Sequence, residues 1–460
     1  MGRLRCASVI LPLVLASATA QAEGMPAPRT MSLDEAIAHA RAHQPEIRAA
    51  LSRVAAQKEA AEVPRGEWLP SVGVTVQLFG ATANNTTGTF VSPGNFDLPR
   101  IGATRAIADA NFRPYASTIV AGGLTQEVFD FGRIAARSAA EDALVDVAKQ
   151  QSRATTLGVT FNVEEAYFAV LAAKSVVKAS DEAYERSKVH RDLAQAGVVA
   201  GLRSPIELTR AEADLARFDI GRVRAQGGLT AAQVTLAATV GVDDGMLDAT
   251  VAPTAPPDMP ELSAAIREAA RRDPRILETV AQLHAEEQRT RAIGAESRPD
   301  LSFTGTLSGR AGGAPASGTG EVPASDGWLP TVPNWNVGIV FTWPLFDGVV
   351  RAREDASRAR EQVRRDELAS AKQQTAAQIR IAYSNVEVAR TTLPRLEGAV
   401  AASRANYDQA DARFRAGLGT SVELADAEAV RTDTEIQLAL GQFSLARARA
   451  VFGRAVAEGL

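Results

Sequence analysis

The chain states its organisation twice. Residues 33–74 align without a gap on residues 262–303, and Leu33, Ala36, Ile37, Pro45, Ile47 and Pro70 fall on Leu262, Ala265, Ile266, Pro274, Ile276 and Pro299. Residues 166–213 align on 382–429. There Ala166-Tyr167 meets Ala382-Tyr383, Gly201-Leu202 meets Gly417-Leu418, and Ala211-Glu212-Ala213 meets Ala427-Glu428-Ala429. Each copy is far longer than a solenoid unit, so this is a duplicated domain. Both copies carry one order of patterns: helix, apolar strand, long polar loop, apolar strand, very long helices. That order excludes most enzymes and suits a membrane conduit.

The first residues read as an export signal. Arg3 and Arg5 form a basic start, Val9 to Leu15 a short apolar core, and Ala20-Gln21-Ala22 a small-x-small cleavage site. The apolar run is shorter than the roughly 20 residues of a spanning helix, and every later long stretch is interrupted by charge. An exported chain of this kind is either soluble in the periplasm or a β-barrel. The single cysteine, Cys6, lies inside the signal, so the mature chain is expected to carry no disulfide and no lipidated cysteine. A net charge of −4 gives no reason to expect nucleic-acid binding. The layout is then residues 1–22 as signal, 23–245 as first repeat, 246–260 as a Pro-rich linker (APTAPPDMP over 252–260) and 261–460 as second repeat.

Ser32 with Glu35 three positions on is a capping box that opens the first helix. Pro45 and Pro274 fit the first turn of a new helix in each copy. Long helices are expected over about 133–200 and 349–416, broken midway. The first would run to about Ala172 and return from about Val177 to Val199. The second would run to about Arg390 and return from about Arg395 to Ala416. Ala352, Ala356, Ala359 and Val363, continued by Ile379 and Tyr383, make a small-residue stripe at 3–4 spacing. Such stripes let helices approach closely. Gly201 and Gly417 are expected helix C-caps.

Four segments read as strands, about 68–80, 116–129, 299–309 and 335–346. Val72, Val74, Val76 and Leu78 share one face, as do Leu301, Phe303 and Leu307, and Trp335, Val337, Ile339, Phe341 and Trp343. Lengths of about 10–13 residues match tilted membrane strands. Trp335 and Trp343, near the two ends of one strand, fit a membrane girdle. The strands of each copy are joined by Gly/Ser/Thr/Asn-rich loops, about 81–115 and 310–334, of the kind that outer-membrane barrels expose. Four strands cannot close a barrel, since roughly eight are needed. Several chains must share one, and three chains supply twelve strands.

The organisation resembles the TolC family of outer-membrane efflux proteins over nearly all the mature chain. Thr125-Gln126-Glu127-Val128-Phe129-Asp130-Phe131-Gly132 and Thr342-Trp343-Pro344-Leu345-Phe346-Asp347-Gly348 are similar to its strand-to-helix junction. Ala166 to Ala173 is similar to its helix leading to the periplasmic tip, and Phe414-Arg415-Ala416-Gly417 with Ser421 to Ala427 to its last helix pair. The resemblance implies a mainly α fold with a β-barrel portion. A homotrimer would form a 12-strand barrel in outer-membrane lipid, continued by a periplasmic α-helical barrel. Residues 204–272 and the C-terminal segment would build an equatorial region. It implies no enzymatic activity and no cofactor, and it implies two partners: a periplasmic adaptor (membrane fusion) protein and an inner-membrane pump of RND or ABC type.

In that frame the long helices turn back at Ala172-Ala173-Lys174-Ser175 and at Thr391-Thr392-Leu393-Pro394, which become the expected adaptor-contact tips. Glu387 and Glu397 flank the second tip and are the candidate pore-entrance carboxylates, because a symmetric ring of acids attracts cations. Asp408 and Asp411 are weaker candidates. Of the histidines, His39 and His43 alone share a helix face, and no further metal-ligand cluster accompanies them. From the residues alone, a periplasmic adaptor or a soluble coiled-coil structural protein stays open as the alternative.

Overall fold

The computed structural model describes residues 29–81, 115–242, 245–250, 259–312 and 332–457. The expected signal peptide, the two long polar loops and most of the Pro-rich linker lie outside the described residues.

The elements, in chain order, are β1 (Arg29–Met31), α1 (Leu33–His43), α2 (Pro45–Gly66), β2 (Ser71–Ala81), β3 (Tyr115–Phe129), α3 (Arg133–Val199), α4 (Pro205–Val240), β4 (Leu247–Ala249), α5 (Leu262–Arg272), α6 (Pro274–Ala295), β5 (Asp300–Gly312), β6 (Val332–Thr342), α7 (Gly348–Arg415) and α8 (Ser421–Ala455). From α1 to α4 and from α5 to α8 the order is the same. The paired helices nearly match in length: α3 has 67 residues and α7 68, α4 36 and α8 35.

Local chemistry fixes the helix starts. Ser32 N–H donates to Glu35 Oε2 at 2.9 Å and Glu35 N–H to Ser32 Oγ at 3.3 Å, the reciprocal capping box. Pro45 and Pro274 occupy the first turns of α2 and α6. Buried Asp273 caps α6 by accepting from Arg275 N–H at 2.9 Å, and accepts from Thr375 Oγ1 on α7 at 3.2 Å. At the strand-to-helix junctions the resembling motifs have a mechanism. Asp130 accepts from the backbone of Gly132 and Ile134, and Asp347 from Val349 and Val350. Each Asp satisfies donors that a helix start leaves unpaired.

The expected breaks midway along the long helices are not there. α3 and α7 run unbroken through 172–175 and 391–394, so each spans about 100 Å at 1.5 Å per residue. Ala172, Ala173 and Lys174 are good helix formers and carry no stop signal. Pro394 lies inside α7. It costs that helix a backbone bond, yet Leu393 and Leu396 on its two sides pack at Gly441 of α8, where a Cβ would collide with Leu396. Tertiary packing overrides the local break. Strand boundaries shift as well: β2 begins at Ser71 rather than 68, β5 runs to Gly312 rather than 309, and β6 spans Val332–Thr342 rather than 335–346, leaving Trp343 on the connection into α7.

The described residues fall into two units. In the first, β1 and β4 pair in parallel. β4 lies within the stretch read as linker. Tyr167, fully buried on α3, donates its hydroxyl to Met31 O at 3.2 Å or Thr250 O at 3.0 Å, beside these strands. Lys174 bonds Ala249 O at 2.8 Å and Asp248 Oδ2 at 2.7 Å. The second unit holds a four-stranded antiparallel sheet in the order β2-β3-β5-β6. Its helical core includes Ala265 and Ala269 of α5, Ile379, Ala382 and Val386 of α7, and Phe452 of α8.

Candidate functional site

The sheet has two chemically distinct faces. Pairs Val72–Leu124, Val74–Gly122 and Val76–Val120 across β2 and β3 continue through Gly122–Leu307 and Leu124–Gly305 into β5. Leu307–Trp335, Gly305–Val337, Phe303–Ile339 and Leu301–Phe341 carry the same face across β6. Directly paired residues point to one side, so this face is mainly apolar across all four strands, with Thr118 and Gln126 as its polar members, and Val74 (74 % exposed) and Trp335 (72 %) lie bare. The other face carries Thr75, Gln77, Thr125, Ser302, Thr304, Thr306 and Asn336. An apolar outer and polar inner face is the alternation of a membrane barrel. β2 and β6 each have one edge without a partner in the sheet. In hydrocarbon such an edge must be paired.

The turns between the paired long helices lie at residues 200–204 and 416–420. Gly201 and Gly417 adopt φ of 71° and 72°, left-handed values that glycine takes at least cost. Leu202 N–H reaches Gly197 O and Leu418 N–H reaches Arg413 O, each at 2.9 Å, closing matched C-caps. Arg203 locks one turn to the other hairpin. Its guanidinium lies 3.7 Å from the Phe414 ring centroid, donates to Phe414 O at 2.7 Å and pairs with Glu207 at 2.9 Å. Around the turns, Val199 (83 % exposed), Leu202 (82 %), Leu418 (74 %), Ile206 and Val422 have no cover.

The residues expected at the tips and the entrance lie within unbroken α3 and α7 and not at a turn. Ala172 is buried, Ser175 Oγ bonds Leu171 O within α3, and Thr391 and Thr392 bond carbonyls one turn back in α7. Glu387 pairs with Arg390 at 3.1 Å and Glu397 is exposed, both mid-α7. Glu387 precedes Gly417 by 30 positions, about 45 Å along a helix.

A buried ionic cluster between α3, α7 and α8 went unread in the sequence. Arg186 Nε donates to both oxygens of Glu428 at 3.0 Å, and Nη2 lies 2.9 Å from Oε1. Glu428 is 1 % exposed. Burial pushes its carboxyl above the ordinary range, and the Arg186 bonds offset part of that. Arg404 and Arg431 both donate to Glu435 Oε1, at 2.8 and 3.3 Å. His190 Nε2 sits 2.9 Å from Tyr407 Oη, and burial pushes that phenol up to about 12. The faint signal was Glu428 and Glu435 at heptad spacing on a seam otherwise built of small residues.

A profile of the outer membrane efflux protein family matches residues 36–242 and 265–455, one segment in each repeat. The chain belongs to this family. An outer membrane efflux protein is a channel, and the two-faced sheet and paired long helices are parts of such a channel. Protein CyaE of Bordetella pertussis is similar at 25% identity over 370 residues, covering 79% of this chain and 70% of the relative. The outer-membrane channel OprN matches in fold with a TM-score of 0.71, at 21% identity, over 93% of this chain and 90% of its own. The CmeC outer membrane channel of Campylobacter jejuni matches with a TM-score of 0.73, at 16% identity, over 93% and 86%.

Proposed function

We propose that this outer membrane efflux protein works as a passive homotrimeric duct, fed by an inner-membrane pump of RND or ABC type through a periplasmic adaptor. The observation that carries the reading is the four-stranded sheet with one mainly apolar face and two open edges among the described residues. A β6 edge of one copy meets the β2 edge of the next in antiparallel sense, and three copies give a twelve-strand barrel with a polar lumen. Trp335 and Trp343 then mark the two lipid interfaces. The chain reaches the outer membrane by a signal cleaved near Ala22.

The adaptor contacts belong at the turns about Gly201 and Gly417 rather than at 172–175 and 391–394. The uncovered Val199, Leu202, Leu418 and Val422 supply an apolar surface for an interlocking helical hairpin. The same relocation moves the entrance acids: the carboxylates beside the second turn are Glu423 and Asp426 in the first turns of α8, in place of Glu387 and Glu397. Opening is a shift between two arrangements of this end, driven by partner contacts that favour the open one.

Fractionation of cells expressing the full chain tests the reading, together with bilayer conductance of the purified protein. Outer-membrane recovery in detergent, an SDS-resistant trimer and discrete conductance are expected. Recovery of the mature chain in the soluble periplasm would overturn it.

A further inference from the structure

His190 stands on α3 one turn beyond Arg186, and every helix packed against it presents charge. From α7 come Tyr407, Asp411 and Arg415; from α8, Glu428 and Arg431; from α4, Asp214; from α3 itself, Arg186. Its ring stacks on Tyr407, with centroids 5.8 Å apart and planes 29° from parallel. The Arg186 and Arg431 guanidiniums lie 5.8 and 4.9 Å from the same ring centre. A cavity of about 30 Å³, lined by His190, Asp214, Phe218 and Glu428, adjoins the imidazole and is large enough for a water molecule.

We propose that protonation of His190 loosens the α3–α7–α8 packing behind the turns, which makes this end of the bundle responsive to pH. A neutral imidazole can accept the Tyr407 hydroxyl proton, or donate to that oxygen, at 2.9 Å. An imidazolium can only donate, so Tyr407 must turn its own proton elsewhere. The new cation also joins Arg186 and Arg431 around one aromatic ring. Tyr407 stays a neutral phenol throughout, since its value lies near 12. Asp411, 3.8 Å from Nε2, is the nearest counter-charge, but it already pairs with Arg415 at 2.9 Å. Burial is the largest influence on His190 and holds it below the ordinary histidine value, with Asp411 opposing. The neutral form is the one this packing is built around.

The inference goes beyond the duct assignment, and its test reads the helix bundle rather than transport. Hydrogen exchange of the full-length trimer is followed over a pH series from about 7.5 through about 5.5 and below, across the ordinary histidine value, with intrinsic exchange rates corrected for pH. Peptides spanning 180–200 and 424–438 should lose protection at the lower pH by at most about tenfold, since pH 5.5 lies about one unit below the ordinary histidine value. His190→Gln, which keeps a hydrogen-bonding side chain but cannot titrate there, should show no loss of protection at the lower pH. Asp411→Asn should move the loss to lower pH. A wild type without the loss, a His190→Gln variant that retains it, or an Asp411→Asn midpoint that does not move would each overturn the proposal.

Discussion

Arg186 on α3 and Glu428 on α8 meet through three contacts of 2.9–3.0 Å. They are separated by 242 positions in the chain. A buried pair of this kind contributes little over an apolar substitute, but removing one partner strands the other. Glu428→Ala should lower stability by about 3 kcal/mol, the cost of leaving a buried guanidinium half-satisfied. The double variant Arg186→Met with Glu428→Leu should recover most of that. Thermal unfolding of all three proteins in detergent checks both outcomes; additive losses would show that the pair is not coupled.

The cluster also sets a pH dependence with a definite sign. His190 is depressed in the folded state, so it binds fewer protons there than in the unfolded chain. Its contribution is complete above the ordinary value of about 6.5 and is lost as pH falls through the folded value below it. Glu428 is raised, so its contribution runs the other way and is lost as pH rises through its folded value above the usual carboxylate range. The His190 share is read from the difference between wild type and His190→Gln in denaturant titrations: relative to the variant, wild type should lose stability as pH falls from about 7 to about 5.

The left-handed glycines can be tested by substitution. A Cβ at Gly201 or Gly417 meets nothing within 4 Å, so Gly417→Ala should cost about 1–2 kcal/mol through backbone conformation alone. Gly417→Asn should cost less, since Asn visits that region more readily. Equal losses for both would assign the cost to something other than the backbone angle.

The two faces of the sheet predict opposite tolerance. Val74→Arg places a cation on the apolar face, where the cost depends on depth and reaches about 2–4 kcal/mol at a bilayer midplane. Thr304→Arg on the polar face should leave assembly intact. Outer-membrane recovery and heat-modifiable migration on gels distinguish them. An intact Val74→Arg trimer would place that face away from lipid.

At the turns, Leu202→Asp with Leu418→Asp should abolish capture of the adaptor while leaving the trimer and its conductance unchanged. Glu423→Gln with Asp426→Asn should weaken block by multivalent cations, and Glu387→Gln, mid-helix, should leave it unchanged. Block that responds to Glu387→Gln alone would return the entrance to that residue.

Much of the fold was legible because its signals are periodic and duplicated: strand alternation at Trp335 to Phe341, the Ser32–Glu35 capping box, and prolines at the same place in both copies. The turns were misplaced for a local reason. Pro394 and the small residues at 172–173 suggest breaks, whereas the long helices stop at Gly201 and Gly417, which the sequence marks only as helix ends. β1 and β4 are three residues each, too short to carry a period. The ionic cluster could not be read because Arg and Glu on a long helix normally mark its solvated face. Aligned copies even mislead here: Glu212 matches Glu428 in the repeat, yet Glu212 is exposed and Glu428 buried.

The open edges of β2 and β6 also bear on inheritance. A subunit whose β6 edge is blocked can still accept a neighbour on β2 but offers nothing to the next. In a cell making both kinds, each such subunit terminates whichever ring it joins and takes sound copies down with it. In the proposed ring, alleles altered along β6 should therefore act dominantly, whereas those that unfold the whole chain before it meets a neighbour should be recessive.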